Sequence, residues 1–535
     1  MSDLVIQWVI LVIYMGGMMY IGVYWDKHTK DSEGYLLGGR KIGAFITAMT
    51  LQTTSMSGYM FMGGPAQAYK EGYFTLWYAV GDGGGAIFNV GILGKRMRRL
   101  SYFMGCLSPI EYLERRYPGK ATRLVAGIIA IIFVYGYVLA QFLSAGKTMA
   151  QLLGIPLWVA IIVGSGVIVF YVWAGGYMAV AWTDFFQGIV MVVSMILIFI
   201  MSMVQVGGLT GLNEALTAKD PTITGMWGVN NMYMGQWGVV AGAVLIYLVG
   251  YMGLPHVVIR HMAMESPYIA KRTVLIATVW NQMFIFIPYI IGLMGIIIIP
   301  GLEQNGDPEM VVLLLADKLL PTAISAIVLV GIMSAIMSTA DAQLMLMGTM
   351  LGRDIYQRYI NKDATDKQLM TISRACIAVV GIVSVLIALI QPPGVFQLVI
   401  FSFSSLGAAF LPSYVCAVWW KKANTTGAIA SMVLGCLTAT IWAIPGLNLT
   451  AVTGLHQFFA GLIVSIPAMI IGSQFGKPTS PEIRDLVDRA SCKMKIPAGL
   501  ATANFKQIAP ETNGVLTFLK HSDYMKQVGF AAQTI

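Results

Sequence analysis

Charge is scarce in this chain. Only 11% of its 535 residues are Asp, Glu, Lys or Arg, while 57% are hydrophobic. Soluble domains carry about 25% charged residues, so a soluble globular protein is excluded and an all-α integral membrane protein is expected. Cysteine is also sparse. Five cysteines are scattered at 106, 376, 416, 436 and 492 without a CxxC pair. That excludes a disulfide framework and a zinc site. HExxH and GxSxG are missing, and no paired catalytic constellation replaces them, so an intramembrane enzyme is not expected. The basic flank of a signal peptide is missing too. Only Asp3 precedes a first apolar run that is too long for an h-region, so no cleaved leader is expected. The net charge of +9 calls for no nucleic acid, because basic residues collect in the cytoplasmic loops of membrane proteins.

What is present is a series of apolar segments of bilayer length. Thirteen are read, near 4–25, 42–69, 74–93, 124–153, 157–175, 180–206, 237–258, 274–299, 319–347, 372–391, 395–420, 426–444 and 456–473. They are called segments 1 to 13 below. Loops after even-numbered segments contain Lys70, Lys219 and Lys318 as their only Lys or Arg, whereas loops after odd-numbered segments include "GKRMRRL" and "LERRYPGK". The positive-inside rule then puts the N-terminus outside and the C-terminus in the cytoplasm of a plasma membrane. "SPIEYLERRYPGK" is expected to form a short surface helix capped by Ser108 and Pro109.

Two segments carry helix-breaking patterns. Segment 2 clusters Thr53, Thr54, Ser55 and Ser57 around Met56 and Gly58. Segment 7 contains Gly250, Gly253 and Pro255. Free carbonyls and N–H groups in a membrane are tolerated only where they line a protein cavity. Broken segments at matching places in two halves of a chain point to the substrate site of an inverted-repeat transporter. Segment 9 adds Ser338, Thr339 and Asp341 in "AIMSTADAQL". A carboxylate at the bilayer centre costs about 2.5–3.5 kcal/mol, so Asp341 is a functional candidate. The hydroxyls alone have a bland alternative, bonding back to their own helix.

The segments "GYLLGGRKIG", "SMSGYMFMGGP", "GGYMAVAWTDFFQG", "GYMGLPHVVIRHM" and "AIMSTADAQL" resemble those of the sodium:solute symporter family, in the same order and over about residues 5–475. Within it they are most similar to the sodium/proline and sodium/pantothenate symporters, with some likeness to monocarboxylate carriers. The resemblance implies a LeuT-like five-plus-five inverted repeat with one helix before it and two after. Residues 1–474 would form the transmembrane domain, with repeats near 42–206 and 237–420, and 475–535 a cytoplasmic tail. It implies Na+ as coupling ion, held by the carbonyls of Thr53, Met56 and Ala335 and the hydroxyls of Ser338 and Thr339. In some relatives a second sodium site joins a segment 6 aspartate to hydroxyls at the positions of Asp341 and Ala342. Asp184 and Asp341 are therefore expected to form a second cation site or to share a proton. The substrate pocket would take Ser57, Gly58, Tyr137, Gln141, Tyr247 and Tyr251. The proline-symporter pattern has a carboxylate where this chain has Ser55; the pantothenate-like pattern, like this chain, lacks one.

No cavity lysine or arginine is expected beyond Lys147, which is read as snorkelling at the outer end of segment 4. The function expected is sodium-coupled import of a small organic acid or amino acid (pantothenate, a monocarboxylate or a proline-like solute) across a lipid bilayer by alternating access, without an organic cofactor. A sensor on a transporter scaffold and a sodium-linked channel are the alternatives.

Overall fold

The computed structural model describes residues 3–390 and 394–491. Among the described residues the chain is all-helical. Among the described residues, the β-pairing consists of two isolated bridges, Ile42 with Met264 and Gly238 with Leu455. The part of the expected tail from 492 to 535 lies outside the described residues. Its first part is a helix, Pro481–Ser491, whose buried Ile483, Leu486 and Val487 pack on the basic helix Lys95–Phe103 and on Val395–Trp419.

Among the described residues nine helices are long and apolar enough to cross a membrane. The count falls below thirteen for physical reasons. Segments 5 and 6 run together as Leu157–Gln205, where Gly176 at φ 62° and ψ −158° makes the corner. An added Cβ there would press into Tyr35, so only glycine fits. Segments 2 and 7 are each cut in two. Segment 2 is Ala44–Ser55, then a wide turn at Tyr59–Gly63, then Gly64–Glu71. Segment 7 is Trp237–Leu248, a tight turn at Gly250–Gly253, and Pro255–Ala263. Pro255 at the first turn of the new helix lacks the N–H that would go unpaired there. Segment 3 begins as Leu76–Phe88 and passes through a wide turn, Asn89–Gly94, into Lys95–Phe103.

Segment 9, Thr322–Thr349, is the axis of the molecule. Every residue from Val328 to Met350 is buried. It packs on segments 4, 5, 6, 1 and 10. A helix that is apolar all round belongs in a core. The outer helices face the other way: Ile13, Ile132, Ile382, Ile390 and Phe475 are exposed, which suits contact with lipid chains.

The two ends of the bundle differ in charge. At the basic end the expected surface helix is present as Pro109–Arg116, capped by the Ser108 hydroxyl, which accepts from the Glu111 N–H at 2.9 Å. Arg123 ties it down through Glu114 at 2.7 Å and Asp354 at 2.5 Å. Arg353 and Arg115 both reach Glu111. Burial pushes the Glu111 carboxyl up, but these two guanidinium groups overrule it and hold it near 2. At the opposite end Lys147 is not a free snorkelling amine. It pairs with Asp307 at 2.6 Å and with Glu309, because the loop after segment 8 folds back over segment 4.

At that same end Glu71 is 6% exposed and accepts from the Tyr233 hydroxyl at 2.7 Å.

Candidate functional site

The first half of segment 2 stops at Met56, whose φ of −86° and ψ of 67° end the helix. A helix that stops leaves its last carbonyls without intrahelical donors. Segment 9 supplies them. The Ser338 hydroxyl donates to the Thr53 carbonyl at 3.1 Å, and the Thr339 hydroxyl to the Thr54 carbonyl at 2.9 Å. The same two hydroxyls reach the Ala335 carbonyl at 3.1 and 3.3 Å, because residues three and four apart share a helix face. Thr54 returns a bond to the Ser338 carbonyl at 3.2 Å. Thr53, Ala335, Ser338 and Thr339 are thus brought to one point, with Met56 at the break beside them. Thr54 belongs to the same cluster. The hydroxyl run in segment 2 was the signal for it, although the expected ligand set left it out.

Just past the break the chain meets segment 4. The Gly58 N–H donates to Gln141 Oε1 at 3.1 Å, the Ser57 and Tyr137 hydroxyls share a bond of 3.2 Å, and the Tyr59 N–H donates to Ser57 Oγ at 3.1 Å. A Cβ on Gly58 would lie 3.0 Å from Ile336 and Ser144 and 3.1 Å from Gln141, so the backbone approaches its neighbours closely. Tyr59 then leads to segment 7, with its ring 5.3 Å from Tyr247; Tyr247 and Tyr251 are 5.9 Å apart, and Phe403 lies 5.3 and 5.2 Å from them. All six expected pocket residues fall in this one buried neighbourhood. Sequence reasoning missed Tyr59, Phe403, and Tyr289, which shares a 2.6 Å hydroxyl bond with Tyr59. Gln141 Nε2 and the Tyr247 hydroxyl are buried without a hydrogen-bond partner.

The carboxylates form a third group. Asp341 is fully buried and accepts from Tyr171 at 2.9 Å and Thr183 at 3.5 Å. Asp184, next to Thr183 in the chain, accepts from the Thr50 hydroxyl and pairs with Arg260 at 3.2 Å. Segments 6 and 9 therefore bring Asp184 and Asp341 to the same interface, each with its Oδ1 unpaired. The expectation that no arginine reaches the core is corrected by Arg260, which is 1% exposed. It sits on the second half of broken segment 7, so its guanidinium enters the bundle rather than the loop. There it also meets the Thr50 carbonyl at 3.2 Å and the Thr54 hydroxyl. The carboxylate cluster is thereby linked to the hydroxyl cluster at the break.

Residues 35–435 match the family model described as the sodium:solute symporter family. The osmoregulated proline transporter OpuE of Bacillus subtilis is 30% identical over 472 residues, 87% of this chain and 94% of its own. Sodium/proline symporter 2 of Staphylococcus saprophyticus is 27% identical over 485 residues, 88% and 93% of the two chains. Among solved structures, a Na+-coupled sialic acid symporter in a substrate-bound outward-open state superposes with a TM-score of 0.73 at 22% identity, covering 89% of this chain and 99% of that one. The shared fold is LeuT-like. Mhp1, a nucleobase-cation-symport-1 family transporter in a closed conformation, superposes with a TM-score of 0.54 at 14% identity, covering 84% and 97%.

Removing Arg260 would leave Asp184 buried and unpaired. Breaking a buried ion pair from one side costs about 3–5 kcal/mol. Arg260→Met should therefore lower the melting temperature sharply, and adding Asp184→Asn should recover much of the loss. Equal melting curves for the single and double variants would show that the pair is not what holds this region.

Proposed function

Since this chain belongs to the sodium:solute symporter family and couples a solute to Na+, we propose that its cargo is a small organic acid or amino acid. The observation that carries the reading is the convergence of two segment 9 hydroxyls and the carbonyls of Thr53, Thr54 and Ala335 at the break in segment 2, next to the buried cluster of Gln141, Tyr137, Tyr247 and Tyr251. Carbonyl and hydroxyl oxygens are the donors a hard cation prefers, and interrupted transmembrane helices supply them near the midplane. The sodium ligands would be Thr53, Met56, Ala335, Ser338 and Thr339. The solute would meet Ser57, Gly58, Tyr137, Gln141, Tyr247 and Tyr251.

In this reading the chain crosses the membrane thirteen times, N-terminus outside, with inverted repeats near 42–206 and 237–420. Sodium and solute enter from outside. The ion bridges segments 2 and 9, which fixes the break in segment 2 and so the pocket beside it. Ion and solute then favour one another's binding, as linkage requires. The bundle rocks and the site opens inward. Each positive charge carried inward gains about 2.3 kcal/mol per 100 mV. Asp184, Asp341 and Arg260 together carry one net negative charge when all are ionised. A second cation or a proton taken up at Asp341 would balance it.

Uptake into proteoliposomes under an inward sodium gradient tests the reading, with uphill accumulation as the expected result. Facilitated equilibration without accumulation would favour a channel. Ser338→Ala with Thr339→Ala should raise the sodium concentration for half-maximal uptake by roughly tenfold or more, about 1.4 kcal/mol. An unaltered sodium dependence would remove these hydroxyls from the ion site. Gln141→Ala and Tyr247→Ala should weaken solute binding by about tenfold to a hundredfold and spare the sodium-induced thermal shift measured without solute. Parallel loss of both would mean a folding defect.

A further inference from the structure

Asp82 is a buried carboxylate that the preceding sites do not use. It lies on Leu76–Phe88, halfway along segment 3, and is 4% exposed. Among the described residues no Lys, Arg or His stands within ion-pair distance of it. The other buried acids near the core have partners at one carboxylate oxygen: Asp184 meets Arg260, and Asp341 accepts from two hydroxyls. Among the described residues, Asp82 has only the Tyr251 hydroxyl. An ionisable group at the bilayer midplane is costly, and its partner must be sought.

The glycines around it explain how it reaches the pocket. In "GDGGG", a Cβ on Gly81 would collide with the Val244 backbone, and one on Gly85 would stand 2.9 Å from the Tyr247 carbonyl and 3.0 Å from the Tyr251 ring. Segment 3 therefore lies directly on the first half and the break of segment 7. Asp82 is delivered to the tyrosine box beside Tyr251, which packs with Tyr247 and Phe403. On the segment 4 side of that box, next to Gly58, is Gln141 Nε2, a donor without a partner.

The two sides have opposite demands. A free amide N–H and the N–H groups after the break suit an acceptor such as a carboxylate. A carboxylate rimmed by aromatic faces suits a cation, which both the charge and the ring quadrupoles attract. We propose that Asp82 binds the ammonium group of the solute, so that the cargo is a zwitterionic amino acid and not a plain monocarboxylate. This rests on the symporter reading above and narrows its substrate class. Asp82 acts by direct contact with the solute. The sodium ligands are unaffected by it.

Matched pairs test this on the purified full-length chain in sodium buffer: L-proline against cyclopentanecarboxylate, L-alanine against propionate, and L-leucine against 4-methylpentanoate. Binding is read by thermal shift and by displacement. At least one amino acid should bind about 100-fold more tightly than its desamino partner, since a site built to bond a polar group discriminates strongly against the analogue lacking it. Asp82→Asn should reduce that ratio to less than about tenfold by weakening amino-acid binding alone, and Asp82→Glu should retain part of it. The sodium-induced shift without solute should persist in both. A parent protein that prefers the desamino acids, or binds none of the amino acids, overturns the proposal. So does an unchanged ratio in Asp82→Asn, including the case where that variant alters only the pH profile of uptake. If Asp82→Asn does not fold, the parent ratio and Asp82→Glu decide. Failure of sodium-driven accumulation with the ratio intact would count against coupling and leave the Asp82 assignment standing.

Discussion

A backbone carbonyl cannot be left bare in an apolar medium, and that constraint organises this molecule. Segment 2 gives up its helical ladder at Met56, so the carbonyls of Thr53 and Thr54 need donors from elsewhere. Ser338 and Thr339 provide them from a helix that is buried over most of its length. The break is stable only while segment 9 stays in register, because a shift of one residue would turn both hydroxyls away. The same oxygens that make the break tolerable form the cluster suited to a cation. In the proposed reading, structural satisfaction and ion binding draw on one set of atoms, which would couple the ion's presence to the position of segment 2.

Charge placement follows a second constraint. Buried charge is tolerated where it is paired and hydrogen-bonded. The basic end uses exposed or half-exposed arginines to lash surface elements together, as with Arg353 and Arg358 on Glu111 and Glu114. Inside the bundle the same chemistry is concentrated in Arg260, which meets Asp184, two threonines and the His256 carbonyl at 2.5 Å. Such a residue is weak evidence for stability, since a hydrophobic replacement of the whole cluster can be as stable. Its position is better explained by what it touches, namely the acid on segment 6 and the hydroxyls next to the break in segment 2.

Most of this architecture was legible in the sequence, because the signals were local. Apolar length marked the segments, and each coincides with helical backbone among the described residues. Glycine, proline and clustered hydroxyls marked the two breaks. Motif order placed the hydroxyls on segment 9. What stayed hidden depended on long-range geometry. Arg260 reads as one more loop charge until the helix Pro255–Ala263 carries it inward. Lys147 reads as a snorkelling residue until a loop some 160 positions later folds over it. Asp82 lies in a glycine-rich stretch that resembles no motif, and only the contact between segments 3 and 7 gives it meaning. Tyr59 and Tyr289 are 230 positions apart and look like ordinary membrane tyrosines.

The opposite end of the bundle ties into the pocket by a short chain of contacts. Lys147 holds Glu309 in the loop before segment 9. The other oxygen of Glu309 accepts from the Phe396 N–H at 3.3 Å, at the start of segment 11. The Phe396 ring lies 5.6 Å from Tyr59 and 6.2 Å from Tyr78. Tyr59 in turn holds Ser57 through its N–H and faces Tyr247. The loop cannot lift without pulling on Glu309, and Phe396 cannot move without unpacking Tyr59 from the residues after the break. Packed aromatic contacts of this kind are bistable rather than elastic, because interiors are as dense as crystals. The loop at this end and the residues after the break in segment 2 are thus joined through the Lys147–Glu309 ion pair, one backbone hydrogen bond and one ring.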